Sequence, residues 1–320
     1  MKATFLVLLM LSVGISRVAA GQSPAVIHNS WSSGVPLPTA VAWSTTGVIK
    51  GKIYNVGGVT ANSAVVGDNQ IYEPATDTWS AGASMPTPLS LSASAVVKNV
   101  LYVFGGNTNG NFSGITDQVW AYNPTTNVWA MKTAMPTKRQ SALAVVENNI
   151  IYVIGGANKN GHKLTTVDSY DSATDSWSEE APLLVGKSKP GGGLLKSTIV
   201  AADGTSNSDI TGDNEGYDAS TNSWTSLAAD PDARSATCYG SVGANLYSAA
   251  GFDSNLNPIN ISEAFSLSKN KWTTKASIPQ AVIAPGSAVY KGLLYCFGGG
   301  SSPDIPIDGV VYNNVQIYQP

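Results

Sequence analysis

Charged side chains are scarce in this chain. Asp, Glu, Lys and Arg make up 12% of its 320 residues, about half of the share in an ordinary globular protein. The net charge is −3. A chain of this composition has no basic field that would attract nucleic acid, so we exclude a nucleic-acid-binding function.

Histidine is almost absent as well. The chain has two histidines, His28 near its start and His162 in its middle. Copper and zinc sites need several imidazole or thiolate ligands that converge, and nucleophilic catalysis by serine needs a base beside the hydroxyl. We therefore expect neither a metal nor a cofactor, and the sequence favours a non-enzymatic role over catalysis.

An apolar run long enough for a membrane-spanning helix, about twenty residues, is also missing. The longest apolar stretch covers Phe5 to Ile15, follows Met1-Lys2 and precedes Val18-Ala-Ala20. This order is typical of a secretory signal peptide. We predict a signal peptide over residues 1–20, cleaved near Ala20, and a single domain over residues 21–320 that is secreted or periplasmic.

Tryptophan is the residue whose positions are most informative. Six tryptophans follow one another at intervals of 48, 50, 48, 47 and 48 residues. Such regularity indicates one supersecondary unit that is copied along the whole chain. These six residues are Trp31, Trp79, Trp129, Trp177, Trp224 and Trp272.

Each repeat predicts two β-hairpins. An aromatic residue precedes the tryptophan by seven positions, as in Tyr72-Glu-Pro-Ala-Thr-Asp-Thr-Trp79, and the Asp, Asn and Pro residues between them favour a tight turn. Upstream, an apolar strand ends in two glycines, which permit positive φ and close approach of another backbone. These pairs are Gly57-Gly58, Gly105-Gly106, Gly155-Gly156 and Gly298-Gly299, whereas the fourth repeat has no such pair and the fifth has only Gly251.

Four strands in a unit of about 50 residues are typical of a β-propeller blade. The order of Gly-Gly, Tyr and Trp resembles the kelch repeat family over essentially the whole predicted mature chain. The strand of Tyr318 has no tryptophan after it, and Trp31 lies on a strand with no partner before it. We therefore predict an all-β, six-bladed kelch-type propeller, closed by the N-terminal strand around Trp31, which joins the C-terminal strands around Tyr318 in the last blade.

The two cysteines leave two interpretations open. Cys238 belongs to the fifth repeat and Cys296 to the sixth. Export would permit a disulfide between the neighbouring blades. Both residues lie in apolar strand runs, however, where a free cysteine packs as a small hydrophobic side chain.

The segments that follow the second and fourth strands of each blade are expected on one face of the ring. Those after the second strand are long and rich in Asn and Asp, which indicates function as well as turn formation. Those after the fourth strand carry five cations, including Lys189. The family resemblance implies partner binding through arginines there, at Arg139 and Arg234. The predicted binding face consists of Arg139, Arg234, Lys138, Lys187, Asn107, Asn109, Asn158, His162, Asp253, Asn255 and Asp304.

The preferred hypothesis is an exported, monomeric, non-enzymatic module that binds a protein or glycan through this face. The alternative is an exported carbohydrate-active enzyme, because the blade number, length and signal peptide resemble those of sialic-acid mutarotases. Mutarotation needs a general acid and base, but Glu147 lies in a predicted hairpin turn and Glu179-Glu180 on an outer strand. A purely structural domain of an envelope or matrix is a third hypothesis.

Overall fold

The computed structural model describes residues 28–110, 112–303 and 309–320. In this part of the chain, 24 strands form six antiparallel sheets of four strands each, the blades of a propeller. The predicted signal peptide and Asp304 lie outside the described residues. The first strand of each blade lines the central channel, and the fourth strand lies at the periphery. Among the described residues, no helix has the length and apolar character needed to cross a membrane.

The blades follow one another along the chain. Blade 1 contains β2 (Thr45–Ile49), β3 (Lys52–Val56), β4 (Asn69–Glu73) and β5 (Thr78–Ala81). Blade 2 contains β6 (Ala93–Val97), β7 (Val100–Phe104), β8 (Val119–Asn123) and β9 (Val128–Lys132). Blade 3 contains β10 (Leu143–Glu147), β11 (Ile150–Ile154), β12 (Val167–Asp171) and β13 (Ser176–Glu180). Two short 3-10 turns cover Phe112–Gly114 and Leu267–Lys269.

The second half of the ring repeats this arrangement. Blade 4 contains β14 (Gly191–Leu195), β15 (Thr198–Ala202), β16 (Asn214–Asp218) and β17 (Ser223–Leu227). Blade 5 contains β18 (Cys238–Val242), β19 (Asn245–Ala249), β20 (Ser262–Ser266) and β21 (Lys271–Thr274). Blade 6 contains β22 (Gly286–Tyr290), β23 (Leu293–Phe297), β24 (Val315–Gln319) and, as its outer strand, β1 (Ser30–Gly34).

The ring closes where the two ends of the chain meet. Strand β1 pairs antiparallel with β24, with Trp31 opposite Tyr318 and Gly34 opposite Val315. Each inner strand contacts the inner strands of both neighbouring blades, and β22 contacts β2. The predicted all-β, six-bladed propeller and its closure by the two termini are therefore confirmed.

The repeated Asx-x-Trp sequence acts as a clamp between neighbouring blades. The backbone N–H of one residue in the preceding blade donates to the Asn or Asp oxygen, and the carbonyl of that same residue accepts from the tryptophan indole N–H. At the junction of blades 1 and 2, for example, Ala83 N lies 2.7 Å from Asn127 Oδ1, and Trp129 Nε1 lies 2.7 Å from Ala83 O. The Asn and Asp residues therefore join blades in addition to forming turns.

The same clamp recurs at every junction of the ring. The Asn or Asp residue has a left-handed φ of 43–55°, which these two residue types tolerate. A tyrosine hydroxyl donates to the same oxygen at five of the six junctions. The clamped residues are Val35, Ala83, Thr133, Ala181, Ala228 and Ala276.

The cysteines form a disulfide between blades 5 and 6. Cys238 on β18 and Cys296 on β23 have a Cα–Cα distance of 5.7 Å and are bonded to each other. The bridge is buried, so it lies within the interface of the two blades. Because 58 residues separate the two cysteines, restriction of the unfolded chain should contribute about 4 kcal/mol of stability.

Candidate functional site

One position in each segment that joins two blades lies at the end of the central channel. We call these segments, from the outer strand of one blade to the inner strand of the next, the strand-four loops. The position falls two residues before the inner strand and has a left-handed φ of 54–59° in every blade, which is uncommon outside glycine. The six residues are Trp43, Leu91, Ser141, Lys189, Ala236 and Ala284, and we call them the mouth ring.

Backbone hydrogen bonds connect the mouth ring into a closed circle. The N–H of each member donates to the carbonyl of the member in the preceding blade, over N–O distances of 2.6–3.3 Å. The circle ends where Trp43 donates to Ala284. A left-handed conformation of a residue other than glycine costs about 1–3 kcal/mol, and these bonds offset that cost. The mouth is therefore held rigidly by the backbone, whatever its side chains are.

The side chains of the mouth leave polar hydrogens without partners. Inside the ring lies a pocket of about 80 Å³, lined by residues of all six blades. The indole N–H of Trp43 and the hydroxyls of Ser141 and Thr237 are buried there, and none finds a hydrogen-bond partner among the described residues. A buried polar group without a partner costs about 1–3 kcal/mol, so this set favours occupation by a hydrogen-bond acceptor.

A lysine adds a positive charge to the same pocket. The Nζ of Lys189 lies 4.7 Å from the centre of the Trp43 ring and 5.2 Å from that of Phe252. Ammonium groups over aromatic faces are held there by the ring quadrupole. Tyr239 also lines the pocket, and burial raises the pKa of its hydroxyl to about 12, so it remains protonated. The mouth thus presents a cation and hydrogen-bond donors, which suit an anionic group.

Three of the predicted binding cations are not at the surface. Arg139, Lys187 and Arg234 are at most 1% exposed, and each forms an ion pair with a carboxylate on the third strand of its own blade. The partners are Asp168, Glu215 and Glu263 respectively. The expectation of a basic rim built from these residues is therefore wrong, because their charges are neutralised inside the blades.

The other three blades fill the same pair of positions without an ion pair. In blades 1 and 6 an apolar residue replaces the cation and a glutamine replaces the acid: Val41 with Gln70, and Val282 with Gln316. Gln70 bonds to both N and O of Thr39, at 2.8 and 3.1 Å, and Gln316 does the same to Gln280. Blade 2 has Leu89 with Trp120. In five of the six blades, therefore, this pair of positions fastens the strand-four loop to the blade.

Blade 5 carries a larger buried cluster. Arg234 pairs with both Asp230 and Glu263. Asp203 of blade 4 also lies in this cluster. It occupies the position at which other blades have the first glycine of the Gly-Gly pair, with φ +61°. Burial, followed by the charge of Asp230, raises the pKa of Asp203 well above its usual value. Burial, followed by a hydrogen bond with Asp230, raises the pKa of Glu263 to about 8. Three carboxyls therefore lie around one guanidinium, which forms ion pairs with two of them, Asp230 and Glu263.

This cluster should make the protein less stable as the pH rises. Near neutral pH the folded state holds protons on Asp203 and Glu263 that the unfolded chain has released. The stability that comes from these protons is complete below about pH 4. It is lost as the pH rises through the pKa of Glu263 in the folded state, about 8. Each such proton contributes a slope of about 1.4 kcal/mol per pH unit. We expect the urea-unfolding free energy to fall from pH 5.5 to pH 8.5, and Asp203→Asn to flatten this fall. Asp209→Asn, which removes an exposed carboxylate nearby, serves as the control; equal slopes for Asp203→Asn and the unaltered protein would contradict the assignment.

The remaining described site residues lie on the same face as the mouth, Lys138 in a strand-four loop and the others in the segments after the second strands. Asn107, Asn158 and Asp253 turn inward, and the side-chain oxygen of each accepts two backbone N–H groups of its own segment. These three residues shape the loops. Asn109, His162 and Asn255 are exposed around the mouth, and Lys138 is exposed with a 3.9 Å contact to Asp117.

Sequence reasoning missed the residues of the mouth itself. Trp43 lies outside the repeated tryptophan position and Lys189 is one loop cation among five, so neither residue stands out in the sequence. A signal was nevertheless present, because the six members of the mouth ring recur at the same intervals as the repeated tryptophans, 48, 50, 48, 47 and 48 residues. An alignment of the six strand-four loops would have placed Trp43 and Lys189 at equivalent positions.

Comparisons with known proteins agree with this architecture. Residues 28–200 match the family described as the KLHDC2/KLHL20/DRC7 Kelch-repeats domain. No curated protein sequence matches the chain. The solved structure described as "Structure of YjhT" is similar with a TM-score of 0.75 and 19% identity, over 88% of this chain and 96% of that one, which supports the fold alone. Kelch propellers commonly serve as protein-binding scaffolds, and this chain belongs to the kelch-repeat family.

Proposed function

We propose that this protein is an exported, non-enzymatic binding module that holds an anionic group of a protein or glycan partner in the mouth of its loop face. The observation that carries the proposal is the set of buried donors without partners, Trp43 Nε1, Ser141 Oγ and Thr237 Oγ1, beside the ammonium group of Lys189. An anion would accept hydrogen bonds from these donors and would be attracted by the ammonium group.

The size of the mouth limits what enters it. A pocket of about 80 Å³ holds one small group such as a carboxylate, so the rest of the partner must lie on the surrounding loops. These loops offer exposed polar side chains, including Asn109, His162 and Asn255, and exposed apolar side chains, including Leu256 and Val310. A polar rim around a small central pocket suits both an acidic peptide and an acidic glycan.

Two features support export and a monomeric state. The buried disulfide Cys238–Cys296 is of the kind that persists in oxidising compartments, which agrees with the signal peptide proposed for residues 1–20. All six blades are completed within one chain, so no second copy is needed to close the ring.

Sialic-acid mutarotation is the alternative, because a sugar acid would also present a carboxylate to these donors. The described residues that line the mouth include no Asp or Glu, and the high pKa of Tyr239, about 12, makes it a poor base at neutral pH. Binding without catalysis therefore fits the mouth better.

The test compares matched anionic and neutral ligands by calorimetric titration of the purified protein. The pairs are N-acetylneuraminate against N-acetylglucosamine, and a glutamate heptapeptide against its glutamine counterpart. We expect at least one anion to bind about tenfold or more tightly than its neutral partner, and Lys189→Met to remove that difference. Lys138→Met, which removes an exposed loop cation, should leave it intact.

Two results would count against this function. If neither anion binds, or if Lys189→Met binds as the unaltered protein does, the mouth is not an anion site. Faster interconversion of the two anomers of N-acetylneuraminate, followed by proton NMR in the same samples, would favour the mutarotase instead.

A further inference from the structure

A second cavity lies on the opposite face of the ring, in the groove between blades 3 and 4. It has a volume of about 440 Å³. The turns that join first to second strands and third to fourth strands form this face. The groove is lined by Glu147, Asn148 and Tyr152 of blade 3 and by Ser197, Asp218, Ala219 and Ser220 of blade 4.

Glu147 is an unusual residue for its position. It ends the inner strand of blade 3, where the other five blades have Ile49, Val97, Leu195, Val242 and Tyr290. Its side chain is only 8% exposed, and its Oε2 atom is buried with no hydrogen-bond partner among the described residues. Five uncharged equivalents show that the fold does not need a carboxylate there, and burial of an unpaired carboxylate is costly.

Other acidic groups surround Glu147. Burial, and then the charge of Asp218, raises the pKa of Glu147. Asp218 holds the N–H and hydroxyl of Ser220 at 2.8 and 2.7 Å with one carboxylate oxygen, and Glu180 lies behind, bonded to Ser169 and Tyr217. Among the described residues, no Lys, Arg or His forms an ion pair with these three carboxylates. The groove is therefore acidic and lacks an internal counter-ion.

The equivalent groove between blades 1 and 2 has the opposite character. Its cavity of about 340 Å³ is lined by Lys50 and Lys52, with Ile49 in the place of Glu147. Equivalent grooves on two sides of one ring are thus lined by side chains of different charge, although Lys52 is paired with Glu73 at 3.2 Å. The acidic character of the blade 3–4 groove comes from its own residues and is not a property of the repeat.

We propose that the groove between blades 3 and 4 binds an organic cation, the ammonium or guanidinium group of a small amine or of a basic side chain, with Glu147 as its buried counter-ion and Asp218 at its edge. An organic cation fits better than a metal ion. Among the described residues, no three His, Cys, Asp or Glu side chains are grouped closely enough to hold a metal, whereas the Tyr152 ring offers an aromatic wall of the kind that attracts ammonium and guanidinium groups.

The experiment is an NMR titration of the full chain with agmatine, which carries both kinds of cation. Acetyl-Gly-Arg-Gly-amide tests a peptide side chain as the source, n-butanol is the neutral control, and calcium chloride tests a metal. We expect agmatine, the peptide or both to shift the signals of the groove saturably. Glu147→Gln should weaken this binding tenfold or more, and Asp218→Asn should weaken it several-fold.

Asp171→Asn provides a matched control. Asp171 lies at the same place in blade 3 as Asp218 in blade 4 and holds the same kind of turn, through a 2.8 Å bond from the N–H of Ala173, but the inner strand of the adjoining blade 2 ends in Val97. Its replacement should leave binding unchanged. The proposal is overturned if neither organic cation binds at 10 mM, if calcium alone binds, or if Glu147→Gln, folded by its NMR spectrum, binds as tightly as the unaltered protein.

Discussion

Replacing Arg139 by valine is expected to lower the free energy of unfolding by about 3–5 kcal/mol, because it leaves the carboxylate of Asp168 buried without its counter-ion. The arginine also donates to the carbonyls of Thr166 and Gly155, at 3.2 and 3.4 Å. Burial raises the pKa of Asp168, and the charge of Arg139 opposes that rise. Once the arginine is gone, the carboxyl can remain buried only if it takes up a proton.

The residues at the same two positions of blade 1 indicate a second substitution that should restore the lost stability. Blade 1 has Val41 and Gln70 at these two positions, and Gln70 is bonded to the N and O of Thr39. Thr137 is the residue of blade 3 that corresponds to Thr39. Asp168→Gln, added to Arg139→Val, should therefore recover most of the lost stability, since a glutamine at this position can fasten the loop through Thr137.

Urea unfolding of the two single variants and the double variant gives the coupling energy between the positions. Lys138→Val is the control, because the contact of Lys138 with Asp117 is exposed and 3.9 Å long, and such a pair contributes about 0–1 kcal/mol. A cost below about 1 kcal/mol for Arg139→Val, or a double variant no more stable than it, would contradict the argument.

The blades and their closure could be predicted from the sequence because they depend on large, regularly spaced aromatic residues. Five of the six repeated tryptophans contact the tyrosine or phenylalanine seven residues before them, as Trp129 contacts Tyr122 with ring centres 4.9 Å apart. Local pairs of this kind are visible along the chain. The clamp between blades was not predicted, since the backbone groups that Asn127 and Trp129 bind carry no side-chain signature.

The burial of the loop cations could have been anticipated but was not. Lys and Arg are rarely buried unless they are paired, and their partners lie 28 or 29 residues further on, at the second position of the third strand. An acid occurs at that position only in the three blades that carry the cation, while Gln70, Trp120 and Gln316 occupy it elsewhere. This correlation is visible when the repeats are aligned with one another, but not when each loop is considered by itself.

Replacing Trp31 by alanine is expected to lower the free energy of unfolding by roughly 3–5 kcal/mol, the cost of losing a packed tryptophan. We expect it also to open the ring. Trp31 packs against Tyr318 with ring centres 5.0 Å apart, and its Nε1 lies 2.8 Å from the carbonyl of Ala276. Strand β1 is joined to blades 5 and 6 only by non-covalent contacts. If β1 detaches, β24 becomes an exposed edge that can pair with another chain.

Trp177→Ala is the matched control for this effect. Trp177 is partly buried, like Trp31, packs against Tyr170 with ring centres 4.9 Å apart and donates to the carbonyl of Thr133 at 3.0 Å. The chain runs directly from blade 2 into blade 3, however, so loss of this clamp cannot release a strand. Light scattering over a range of concentrations should show association for Trp31→Ala and a constant mass for Trp177→Ala, with both less stable in urea. Equal behaviour of the two variants would mean that backbone pairing between β1 and β24 is sufficient to keep the ring closed.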